Sequence, residues 1–88
     1  MAAIDVVQQS STTFLVSVRD DKSTTTHLVT VMPSDVDRYA PGSTPEDLLE
    51  ASFEFLLARE PKEAILGRFD LPTIERYFPE YPDVMRGR

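Results

Sequence analysis

The chain has 88 residues, 41% of them hydrophobic and 27% charged, with a formal net charge of −6. That is enough apolar material for one domain rather than a disordered tail, and the acidic balance repels nucleic-acid phosphates and anionic lipid while favouring basic partners. Cysteine is absent, which excludes a disulfide scaffold, a thiolate zinc site and a cysteine nucleophile, and fits the cytoplasm.

The N-terminus, "MAAIDVVQQ", carries Asp5 with no basic residue before it, so it does not read as a signal peptide. No apolar run approaches the roughly 18 residues that span a bilayer. Within residues 1–32 the hydrophobic pattern alternates. In "TFLVSVRD", Phe14, Val16 and Val18 share one parity; in "THLVTVM", His27, Val29 and Val31 do. A period of two marks strands with one buried face, and the Val and Thr content suits a pleated surface. "DDKST" between the runs is a hairpin loop. "IDVVQQ" reads as a shorter first strand. The expectation is a three-stranded antiparallel meander, which needs a second layer over its apolar face.

Residues 33–44 read as a connector with one helical turn opened by Ser34. Residues 45–82 read as the helical layer. Thr44 is a good N-cap, Pro45 fits the first helical position, and Glu46 and Asp47 suit the positive end of the dipole. Pro61 is expected to end this helix near Arg59. At 100° per residue Leu49, Phe53, Leu56 and Leu57 share one arc, with Asp47, Glu50 and Glu54 opposite. Leu48 and Phe55 lie on the flank of that arc and need a cover. "PKEAILGRF" reads as a short helix ending near Gly67. "DLPTIERYFPEYP" reads as another, with Leu71, Ile74, Phe78 and Tyr81 at helical spacing until Pro79 stops it. Residues 83–88 read as a tail whose arginines can complement the acidic helix stripe. The whole is expected to be a single-domain α+β fold, three strands followed by three to four helices packed on one face in two layers.

The pieces "SFEFLLAREP", "AIL", "FDL" and "IERYFPEY" resemble a pattern in small bacterial proteins with no assigned activity. The resemblance covers about the C-terminal 40% of the chain. It implies that "RYFPEY" is a hallmark, of a core or of a contact surface, and it implies nothing about chemistry.

The single histidine, His27, falls on the buried parity and reads as a packed or capped residue. No Gly-rich phosphate loop, GxSxG, HExxH or EF-hand pattern is present, so no catalytic, cofactor or metal residue is assigned. Residues 61–78 can also be read as helix, turn, helix, offering Thr73 and Arg76 to DNA. Asp70, Glu75 and Glu80 oppose that reading. What remains is a small protein-interaction or regulatory module that binds an unknown protein or itself through apolar helix faces. The alternative is an antitoxin- or inhibitor-like subunit of a nucleic-acid-binding complex, and a small enzyme ranks third. The candidate partner surface is Leu48, Phe55, Tyr77 and Tyr81, rimmed by Arg59, Arg68 and Arg76. The unblunted edge of "IDVVQQ" is a second candidate.

Overall fold

A computed structural model describes residues 2–87. The fold is α+β: a four-stranded sheet in the order β1-β2-β3-β4, with four helices. β1 (Ala3–Gln8), β2 (Thr13–Arg19) and β3 (Thr24–Thr30) form the antiparallel meander that the alternating pattern predicts. Asp20 closes the second hairpin: its Oδ1 accepts from the backbone N–H of Lys22 at 2.8 Å and of Ser23 at 3.0 Å, as an Asx-type turn does. Ile4 pairs with Val18, Val6 with Val16, Val16 with His27 and Phe14 with Val29. One face of the sheet therefore carries the apolar parity, and Phe14, Val16, Val18 and Val29 are fully buried on it. Each such side chain removed from water stabilises the fold by about 1.5–3 kcal/mol before entropy is counted.

The fourth strand goes beyond the expected three. β4 (Arg68–Asp70) runs parallel to β3, with Phe69 beside Val29. Parallel neighbours need a crossover, and residues 31–67 supply it. The crossover begins with α1 (Pro33–Tyr39), a longer helix than the single turn expected in the connector, opened by Met32 rather than Ser34. Asp35 secures its first turn by accepting from the Met32 N–H at 2.8 Å. Gly42, at φ +87°, supplies the left-handed residue in the link that follows. α2 (Pro45–Leu57) starts where predicted, with the Thr44 hydroxyl accepting from the Asp47 N–H at 3.1 Å. It stops two residues short of Arg59, which lies in the turn beyond.

The segment read as a helix ending at Gly67 is instead one 3-10 turn (Lys62–Ala64) followed by extended chain. Tertiary pairing decides this: Leu28 donates its N–H to the Gly67 carbonyl at 2.8 Å, which draws the chain into the sheet. The last helical region is two pieces, α3 (Thr73–Tyr77) and α4 (Tyr81–Arg86), parted at Pro79. Most of the expected tail is thus helical, and Arg86 donates from Nε to the Arg38 carbonyl at 3.0 Å. The expected role of Arg88 lies outside the described residues. One continuous cluster joins the inner sheet face to Leu49, Phe53 and Leu56 of α2, Tyr39 of α1, Ile74 of α3, and Tyr81 and Met85 of α4. Among the described residues no helix is long and apolar enough to cross a membrane.

Candidate functional site

The seven residues predicted as a partner surface do not share one. Leu48, Phe55 and Tyr81 are 1%, 4% and 0% exposed. They form the seam between α2 and α4, which corrects their assignment to a contact surface. Phe55 meets Tyr81 edge-on at 5.3 Å and Phe78 at 5.7 Å. Ser52 lies in the same seam: its hydroxyl donates to the Leu48 carbonyl at 2.6 Å. A serine has one hydroxyl proton, so the 2.6 Å contact with Tyr81 is a donation from the tyrosine. Burial pushes the Tyr81 hydroxyl well above its ordinary pKa.

The arginines are dispersed too. Arg59 stacks its guanidinium 3.6 Å from the Phe55 ring centroid, donates to the Phe55 carbonyl at 3.0 Å and pairs with Glu80 at 3.3 Å. It closes the C-terminal end of α2 rather than framing an open patch. Arg68 pairs with Leu28 across the strands and shares the sheet face away from Phe69. Only Tyr77 and Arg76 remain exposed side by side, on α3.

Tyr77 belongs instead to a groove of about 330 Å³ between the end of α2, the 3-10 turn, β4 and α3. Its floor is apolar: Leu56, Ile65, Phe69 and Ile74 are all buried. Its rim is apolar as well, and exposed: Tyr77 is 67% and Leu66 47% accessible. Thr73 and Tyr77, four residues apart, present one helix face to it. Glu60 is the charged residue in the lining. Local chemistry builds this shape. Pro61 follows the turn that ends α2, backbone pairing with β3 holds residues 67–70, and the turn at Leu71 and Pro72 starts α3. No local pattern marks Ile65 and Leu66 as groove residues, because "AILG" also fits the end of a helix; apolar residues flanking a glycine are the available signal.

A larger hollow, about 720 Å³, opens between the link after α1, α2 and α4. Asp47, Glu50, Glu54 and Arg86 stand on its walls, and Ala40 and Ala51 are among its apolar contributors. Its lining is polar and apolar in about equal measure, and it lacks the exposed aromatic anchor of the smaller groove.

His27 is 2% exposed. Its Nδ1 meets the Leu66 carbonyl at 2.8 Å and its Nε2 the Thr25 hydroxyl at 2.8 Å. A carbonyl only accepts, so in the neutral ring Nδ1 carries the proton and Thr25 donates to Nε2. The ring packs 5.3 Å from Phe53. His27 thus ties the strand-like chain before β4 to β3, with both nitrogens occupied. Among the described residues no group of three His, Asp or Glu side chains is placed to hold a metal ion. The helix, turn, helix reading of residues 61–78 is also overturned, since its first helix is one 3-10 turn followed by extended chain and β4. Comparison of the chain with protein-family models, with curated proteins and with solved structures gives no match.

Proposed function

We propose that this protein is a small non-enzymatic interaction module that seats an apolar segment of a partner protein in the groove beside α3. The observation that carries the reading is the exposed pair Tyr77 and Leu66 above a floor of Leu56, Ile65, Phe69 and Ile74. Aromatic anchors over a desolvated pocket are where binding energy concentrates at interfaces. Glu60 at the groove and the net charge of −6 favour a partner with basic residues around its apolar anchor. The cysteine-free composition supports a place in the cytoplasm.

The test is affinity capture from a lysate of the source organism, with and without nuclease, using wild type and the double variant Leu66→Glu, Tyr77→Ala. A stoichiometric protein that survives nuclease and is lost with the variant is the expected result. A partner that the variant still retains, or one that nuclease removes, sinks the reading.

A further inference from the structure

A second, independent surface lies at the opposite edge of the sheet. β1 is an edge strand, paired on one side only, with β2. Its six residues, AIDVVQ, contain no proline, lysine or glycine. Its register with β2 runs unbroken from Ala3 to Gln8, so no bulge twists it away. Natural sheets usually blunt such an edge with one of these devices. The core is also left open there. Ile4 and Val6 pack against it while remaining partly exposed, as does Leu57 of α2, and Val7 on the other face is 55% exposed.

The charge around this edge selects its occupant. α2 lies over β1. The flank of α2 carrying Ser52 and Phe55 is turned to α4. At 100° per residue the flank on the other side carries Glu46 and Leu57, so these lie toward the free edge. Asp5 sits mid-strand, exposed on the outer face. A second copy of the chain fits poorly. Antiparallel pairing about Asp5 sets Asp5 against its own copy. Pairing about Val6 leaves the two Asp5 side chains as diagonal neighbours, roughly 7–8 Å apart.

We propose that β1 is a strand-addition site for an extended, basic segment of a partner protein. Its main chain completes the β1 hydrogen bonds. Apolar residues on one side cover Ile4, Val6 and Leu57. Lysines or arginines on the other side meet Asp5, with a further basic group reaching Glu46. This site does not depend on the groove beside α3.

The probe is an end-blocked eight-residue peptide alternating lysine and valine, titrated into the full chain and followed by amide NMR and hydrogen exchange. The expected result is shifted resonances at Ala3–Gln8, with exchange there slowed at least tenfold. A peptide alternating glutamate and valine should give neither, and Asp5→Lys should weaken binding at least fivefold. Shifts without protection of the β1 amides overturn the proposal. So does equal binding of both peptides. Protection of β1 without peptide, rising with protein concentration, would make a second copy the occupant and overturn it as well.

Discussion

Tyr77 and Tyr81 stand four residues apart in one aromatic segment, yet Tyr77 is 67% exposed and Tyr81 fully buried. In an unbroken helix they would share a face. Pro79 prevents that. It biases Phe78 out of the α region, and Phe78 sits at φ −133°, ψ 87°. The chain restarts at Tyr81, whose ring turns under α2 to meet Phe55 and, at 4.9 Å, Tyr39. The difference teaches that one sequence run can close a core and expose an anchor, provided a break reorients its halves.

The sharpest way to break this comparison is to remove the buried half. Deleting residues 79–88 takes away Tyr81 and Met85 and uncovers Leu48, Ser52 and Phe55. The shortened chain is expected to lose its cooperative thermal transition. A sharp transition near that of the full chain would show that α4 is an appendage.

Single substitutions grade the effect. Tyr81→Ala leaves a cavity in the seam and should cost about 3–5 kcal/mol in urea denaturation, as truncation of a large buried aromatic does. Tyr81→Phe removes only the hydroxyl. Ser52 still donates to the Leu48 carbonyl, so the expected cost is about 1 kcal/mol. Equal losses for the two variants would mean that the hydrogen bond, rather than the ring, holds the seam.

How far each half was readable follows from its physics. The meander was legible because alternation over six or seven residues repeats in strands joined by short turns. Thr44 and Pro45 marked the start of α2 for equally local reasons. β4 was not legible: three residues hold no period, and its pairing depends on β3, 40 residues away in sequence. The fate of the aromatics lay between these cases. The width of the α2 apolar arc calls for a cover over Leu48 and Phe55, and Tyr81 supplies it. That Tyr77 would part from Tyr81 depended on how the chain turns at Pro79, which spacing alone does not encode. Likewise the groove needs Leu66 and Phe69 brought beside α3 by β4, a placement that no local pattern records.

A smaller effect should come from the polar clamp at the far end of the crossover. The Lys62 ammonium, in a side chain only 5% exposed, lies 2.7 Å from Asp20 and 2.6 Å from Glu63. Lys62 and the turn N–H groups hold the Asp20 carboxyl well below its ordinary pKa, Lys62 lowers Glu63, and the two carboxylates raise Lys62. The depressed carboxylates contribute stability above their unfolded values of about 4, lost as pH falls toward the folded ones. The raised lysine contributes fully below about 10.4, and loses its share as pH rises through its folded value. The clamp should therefore be intact from about pH 5 to 10. Asp20→Asn keeps an acceptor for the turn but loses the charge. Its urea midpoint should fall less steeply below pH 4 than that of wild type. Parallel acid limbs would place the acid sensitivity elsewhere.

The smallest stability change belongs to the exposed tyrosine, and that is what makes it informative. Tyr77→Ala removes a ring that is two-thirds in water, at the end of a short helix whose buried position is Ile74. Its urea midpoint should stay within about 0.5 kcal/mol of wild type. If the ring is an anchor, the same substitution should nevertheless strip the captured partner from the groove, because truncating a central interface aromatic costs about 2 kcal/mol or more of binding. Stability held and binding lost would separate Tyr77 from Tyr81 by role as well as by position. A loss of several kcal/mol in stability would mean that Tyr77 braces the core after all, and the contrast between the two tyrosines would collapse.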